Sequence, residues 1–266
     1  MPLLLLPPCS LLCTTSNTQG MALGDMFKIE GGRLRPVVTV LPIPVRAIVM
    51  PLSDIQAALR LEDAVQRHLD PLMPPNGIWK QHHRLYHSTI FHASTHMDPV
   101  RAAPRDVDME EYLIKDVGHK ACPLHLTLER IVATPSGTVL ACWQIMNGTD
   151  VLDIRNWLEE ILPHHSKQQV VQDRTILHTT LARLVAPPKL DGLAAAATDG
   201  GQGGGGAAAD AARVLQAAAD RMTTDLCGLR TVIDKMWFVE EYEKLALALR
   251  GTFRQREVPM ECEPLY

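Results

Sequence analysis

His87 and His178 each stand two residues before a threonine, in Tyr86-His87-Ser88-Thr89-Ile90 and Leu177-His178-Thr179-Thr180-Leu181. Both runs are strand-like. Residues i and i+2 of a strand point to the same face, so each run presents an imidazole beside a hydroxyl. That pairing suits chemistry at phosphorus. Histidine, with an ordinary pKa of about 6.5, can take or give a proton near neutrality. Two imidazoles on opposite sides of a phosphorus could act in line, one activating water and one protonating the departing oxygen. Each contribution is worth roughly 10²–10⁴-fold. Thr89 and Thr180 could hold the non-bridging oxygens, where charge concentrates in the transition state.

The pattern carries little information alone, and the chain contains a third copy, His125-Leu126-Thr127-Leu128. Spacing separates the candidates. His87 and His178 are 91 residues apart, room for one repeat with a helix and several strands. His125 lies 38 residues from the first and 53 from the second, too close for a full αβ lobe. We therefore pair His87 with His178 and read His125 as a histidine on a sheet face, near the groove or in the core.

His82, His83, His87, His92 and His96 form a local cluster, and His164-His165 another. Imidazole suits zinc, copper and iron. No HExxH is present and strand spacing alternates faces, so solvent-exposed or supporting histidines are the preferred reading, with no metal site. Arg84, Arg174 and Arg183 could add positive charge, but strand alternation puts Arg183 on the face opposite His178. Trp79, Trp143 and Trp237 could stack on a base; each lies in an apolar run, which favours core packing.

The elements that must position the motifs are readable in outline. Prolines bound two β-branched runs, Val37–Pro42 and Val45–Met50, expected as separate strands. Ser53 is a good N-cap for a helix over 54–69. Trp79–Phe91 is the first motif strand. A helix is expected over 106–118, a hairpin from Leu124–Ala133 and Thr138–Met146 around Pro135-Ser136-Gly137, and a helix capped by Asp150 or Asp153 that ends near Leu162. Thr175–Val185 is the second motif strand. Residues 191–209 form a Gly/Ala-rich run that reads as a flexible insertion; GGQGGGG lacks the context of a phosphate-binding loop. A helix over 211–226 and a strand over Arg230–Val239 follow; Leu245–Arg250 is a last strand candidate, although Glu241–Leu249 could equally be helical. The order implies an α+β fold with largely antiparallel sheets, in which a weak internal repeat sets the two histidines across a pseudo-twofold axis. We assign 1–34 to a leader, 35–255 to one bilobal domain and 256–266 to a tail.

Composition is that of an ordinary soluble domain, 46% hydrophobic and 21% charged, with a net charge of -4. It argues against a strongly basic nucleic-acid groove but allows a nucleotide or RNA end bound locally. The six cysteines show no CxxC pair, and buried reduced thiols are the favoured reading over disulfides. Residues 1–13 are apolar but lack a basic flank and are too short to span a bilayer. A leader, a secretory or organellar signal within 1–20, and translation from Met21 or Met26 stay open; the cytoplasm is the favoured location.

The paired H-S-T-I and H-T-T-L motifs resemble those of the two-histidine (2H, LigT-like) phosphoesterases. GIWKQHHRLYHSTIFHAS, CWQIMNGTD, ILHTTLARL and WFVEEYEKLALALRG are similar to the plant members described as RNA ligase/cyclic nucleotide phosphodiesterase family proteins. The likeness covers roughly residues 35–255. It implies a bilobal α+β fold with a central groove, each lobe supplying one HxTx motif. It implies His87 and His178 as catalytic, Thr89 and Thr180 as phosphate ligands, and no metal or other cofactor. The implied activity is opening of a 2′,3′-cyclic phosphate on a nucleotide or RNA end, or of ADP-ribose cyclic phosphate, by a monomer with no membrane partner. A non-catalytic RNA-end or nucleotide-binding module and a 2′-5′ ligase-like activity are the alternatives, with a histidine-based metalloenzyme behind them.

Overall fold

A computed structural model describes residues 23–190 and 207–263. The apolar start of the chain and nearly all of the Gly/Ala-rich run lie outside the described residues. Strands β1 (Phe27–Glu30) and β2 (Arg33–Pro36) make a short antiparallel hairpin. The next strand, β3, runs unbroken from Val40 to Pro51, not as two strands divided at Pro42 and Pro44. On one side β3 pairs with the motif strand β5 (His87–Ser94) only from Arg46 onward. The prolines lie beyond that ladder, where a missing N–H costs no bond to β5.

Helix α1 (Ile55–His68) is capped by Asp54 rather than Ser53; its carboxylate accepts from the N–H groups of Gln56 and Ala57. The expected strand over 79–91 is broken. Strand β4 (Ile78–Lys80) ends at a 3₁₀ turn, His83–Leu85, and β5 starts after it. The two strands belong to different sheets, so the chain crosses from one lobe to the other just before His87. Helix α2 (Pro104–Lys120), the hairpin β6 (Leu124–Ala133) and β7 (Thr138–Asn147), and helix α3 (Val151–Ile161, capped by Asp150) fall close to their expected places. The second motif strand is β8 (Leu177–Leu184), and α4 (Ala207–Asp225) takes in the last residues assigned to the insertion.

Arg230–Val239 is two strands, β9 (Arg230–Ile233) and β10 (Lys235–Glu243), again one in each sheet. A helical turn, α5 (Ala246–Leu249), precedes β11 (Phe253–Pro259). That last strand runs into the segment assigned to the tail. Its composition is too polar to signal a strand, but Arg256 is held by Glu240 and Glu111, which lets the strand lie against β10.

The strands form a four-stranded sheet, β11-β10-β3-β5, and a five-stranded sheet, β4-β8-β7-β6-β9, both antiparallel. Helices α2 and α3 pack with the first, α1 and α4 with the second. The lobes are interleaved in sequence, because β10 and β11 return to the sheet begun by β3. A continuous apolar core joins both sheets, including Ile48, Met50 and Ile90 of the first and Leu126, Ile131 and Leu181 of the second.

Two cysteines depart from the reduced-thiol expectation: Cys122 and Cys262 form a disulfide across 140 residues. Past β11 the chain runs along the end of α2, where a Cβ on Gly118 would come within 2.5 Å of the Pro259 carbonyl oxygen. This close approach brings Cys262 to Cys122, and nothing in the local sequence around either cysteine announces it. Cys142 is buried and Cys227 exposed.

Candidate active site

Strands β5 and β8 leave the chain with the same pattern of exposure. His87 and Thr89 are half-buried on one face while Ser88 and Ile90 are buried on the other; His178, Thr180, Thr179 and Leu181 repeat this. All four predicted residues line one cavity between the sheets. Behind it the strands touch: the hydroxyls of Ser88 and Thr179 are 3.1 Å apart, and the indole N–H of Trp143 donates to the Thr179 hydroxyl at 3.0 Å.

His87 Nδ1 lies 2.7 Å from the Leu85 carbonyl oxygen. A carbonyl only accepts, so Nδ1 carries the proton and Nε2 keeps its lone pair for the cavity. Gln81, at the crossing between sheets, also donates to Leu85 O and touches the same ring. The Nδ1 of His178 is buried with no hydrogen-bond partner among the described residues. Burial pushes both imidazoles down to about 4. For His87 the Leu85 carbonyl opposes this and Arg183 adds to it. For His178, Arg155 and His87 add to it. Both rings are thus neutral in the free protein at neutral pH, and an anion bound between them would favour protonation of one.

Arg183, assigned to the wrong face by simple alternation, lines the cavity. The cause is a β-bulge. Thr180 pairs with Leu140 and Ala182 with Val139, which leaves Leu181 as the extra residue. Strand β5 has the same irregularity: Thr89 pairs with Val49 and Phe91 with Ile48, with Ile90 extra. Each bulge turns the fifth residue after the histidine into the groove, His92 in one lobe and Arg183 in the other. The signal was present in the sequence. After each threonine two apolar residues stand side by side, Ile90-Phe91 and Leu181-Ala182, which breaks alternation.

Arg183 is 3% exposed, and its Nε and Nη1 have no hydrogen-bond partner among the described residues. Burial lowers it to about 10 while Glu241 opposes, so it stays charged at neutral pH. Glu241 lines the same cavity, accepts the Leu247 N–H at 2.7 Å, and is raised by burial to about 7 against the pull of Leu247 and Arg183. An unsatisfied buried guanidinium is costly to leave unpaired, and an anion in the groove would satisfy it. The remaining wall is largely aliphatic, from Val45, Ala47, Val49, Val239 and Leu247, with Gln81, Thr95 and His96 as further polar members.

Other expected groups lie elsewhere. Arg174 binds Glu159 and Asn156. His125 lines a separate surface depression with Asp54, Arg230 and Asp234. Trp143 is core, Trp79 packs on Phe27 and donates to Ala248 O, and Trp237 packs against the aliphatic wall without lining the cavity. His83 pairs with Glu62, and His165 Nδ1 meets the Leu162 carbonyl. Among the described residues the side chains grouped closely enough to share a metal ion are His119, Glu261 and Glu263, which are exposed and outside the groove. No described helix is long and apolar enough to cross a membrane.

No protein-family model matches the chain, and comparison with curated proteins gives no match. Solved structures do match. TT0787 of Thermus thermophilus superposes with a TM-score of 0.52 at 13% identity, over 83% of this chain and 100% of that one. ATU0111 of Agrobacterium tumefaciens gives 0.49 at 13%, over 81% and 86%. Escherichia coli LigT complexed with phosphate gives 0.44 at 11%, over 81% and 95%. Such low identities speak to architecture. The likeness to TT0787 is one of fold: two antiparallel sheets with helices outside and one histidine-bearing motif strand in each sheet.

Proposed function

We propose that this groove is a phosphoesterase site that opens a cyclic phosphodiester, a 2′,3′-cyclic phosphate on a nucleotide or RNA end or ADP-ribose cyclic phosphate, without a metal. The observation that carries the reading is the shared cavity. Two half-buried imidazoles, two hydroxyls and one buried guanidinium converge there from two different strands.

In this reading Arg183 and the hydroxyls of Thr89 and Thr180 hold the non-bridging oxygens. His87, whose Nδ1–H is fixed on Leu85 O, takes a proton from water through Nε2. The water oxygen bonds to phosphorus as the bond from phosphorus to one ribose oxygen breaks. His178, protonated in the presence of the bound anion, gives its proton to that oxygen. The product is a ribose phosphomonoester. With a ribose hydroxyl in place of water as the attacking group, the same opening of the cyclic phosphate would give a phosphodiester, so the ligase-like alternative shares these residues. Both motifs come from one chain, which favours a monomer. Among the described residues no Phe, Tyr or Trp lines the groove, which favours turnover at the phosphate over a module that binds bases by stacking.

The test is hydrolysis of 2′,3′-cyclic nucleotides, ADP-ribose cyclic phosphate and cyclic-phosphate RNA in EDTA. His87→Ala and His178→Ala should each lose roughly 10²–10⁴-fold. Full activity in either variant sinks the mechanism, and abolition by EDTA sinks the metal-free reading.

A further inference from the structure

Arg155 has no role in the chemistry above, yet it is among the most heavily committed side chains in the molecule. It stands on the buried face of α3 beside Ile154 and Leu158 and is 3% exposed. Its hydrogen-bond partners among the described residues are all backbone carbonyl oxygens. Nε donates to Ile90 O at 3.1 Å, and Nη2 to Ile176 O at 3.0 Å and Thr89 O at 3.4 Å. Nη1 donates to Arg174 O. Two of these carbonyls belong to the first histidine strand, at its threonine and its bulge. The other two lie immediately before the second, Ile176 standing two residues ahead of His178.

Burying a cation on carbonyls alone is an expensive way to fill a helix position that leucine could occupy. What the guanidinium supplies is geometry. Its planar fork has five donors at fixed angles, and here it reaches both strands at once. We propose that Arg155 is a positioning residue: it ties the back of the Thr89–Ile90 segment to the approach to His178, and so fixes where the two imidazoles stand relative to one phosphate.

Charge accompanies the tie. Burial draws Arg155 down to about 10, with Arg174 adding and Asp173 and Asp150 opposing, so it remains a cation at neutral pH. After burial it is the largest influence holding His178 low, ahead of His87. The other charged or titratable groups lining the cavity with the histidines are His92 on β5, His96 just beyond it, Arg183 on β8 and Glu241 on β10.

The turnover part of the test rests on the phosphodiesterase reading; the NMR part does not. Arg155→Met removes tie and charge together. Arg155→Lys keeps the charge, but one ammonium cannot span four carbonyls. We expect kcat to fall about 10²-fold in both, as for a misplacement of about 1 Å, with KM within about twofold. By histidine NMR, the His178 midpoint should rise in Arg155→Met and stay put in Arg155→Lys. If Arg155→Met does not fold, Arg155→Lys decides alone. Wild-type kcat in the folded variant overturns the proposal, as does a lowered kcat that appears only where the His178 midpoint moves. If the wild-type chain turns over no cyclic phosphate, the enzymatic reading fails by itself. Inorganic phosphate then serves as the probe: it should perturb both imidazoles of the wild type together and only one in Arg155→Lys, and identical responses overturn the positioning role.

Discussion

The hydroxyls of Ser88 and Thr179 meet at 3.1 Å on the buried side of the two strands whose outer faces carry His87 and His178. The residue between histidine and threonine in each motif is therefore the hinge on which the two halves of the site are joined. Trp143 completes the joint by donating to Thr179, and Arg155 closes it from the helix side.

That joint should be measurable. Thr179→Val leaves the Ser88 hydroxyl and the Trp143 N–H buried without a partner, at a cost of about 1–3 kcal/mol. Ser88→Ala alone costs less, since Thr179 keeps Trp143. A double-mutant cycle by urea denaturation should show coupling of about 0.5–1.5 kcal/mol between the two positions. Strict additivity would mean that the strands are held by packing alone.

Arg183→Met removes the buried, unpaired guanidinium. Stability of the free protein should change little, because two unsatisfied N–H groups leave the interior while Glu241 loses a favourable neighbour. Affinity for inorganic phosphate and for substrate should fall at least tenfold, read by titration and by KM. A variant that binds phosphate as tightly as wild type would remove Arg183 from the site.

Acid should affect rate and stability in opposite directions. With both groove histidines at about 4 in the free protein, the singly protonated pair becomes commoner as pH falls toward 5. Since kcat/KM reports the free enzyme, it should rise on acidification from pH 8 to 5. The kcat profile, which reports the complex, should lie closer to neutrality because the bound anion raises one imidazole. A flat kcat/KM over this range would rule out two histidines at about 4. For stability, the unfolded chain takes up protons at about 6.5, where the folded chain does not. Stability from His87, His92 and His178 is therefore complete above about 6.5 and is lost as pH falls toward 4. His92→Asn should flatten the decline of Tm between pH 6.5 and 4.

The disulfide predicts a redox-dependent stability with little change in chemistry. Cys122 and Cys262 close a loop of 140 residues, for which chain entropy alone gives up to about 5 kcal/mol. Cys262→Ser, or reduction of the wild-type chain, should lower Tm. Since neither cysteine lines the groove, kcat at moderate temperature should hold within about twofold.

The motif histidines and threonines were legible from sequence because strand periodicity is local: two residues along the chain is one face, whatever lies around it. The helices at 55–68, 104–120 and 151–161 and the 124–147 hairpin were legible for the same reason. Other features depend on contacts between distant segments. The bulges that bring His92 and Arg183 into the groove are differences in register against β3 and β7, and no run of residues contains its partner's register. The crossing of β4 and β5 into different sheets, the polar strand β11 at the edge of the first sheet, and the disulfide that follows it all depend on which distant backbone offers free hydrogen-bonding groups. Arg155 is the extreme case. As a charge on an amphipathic helix it reads as surface, and only folding brings four carbonyls from two strands to meet it. The sequence determined which side chains could do the chemistry; the tertiary structure decided which of them share a cavity, because sharing one is a property of strand pairing.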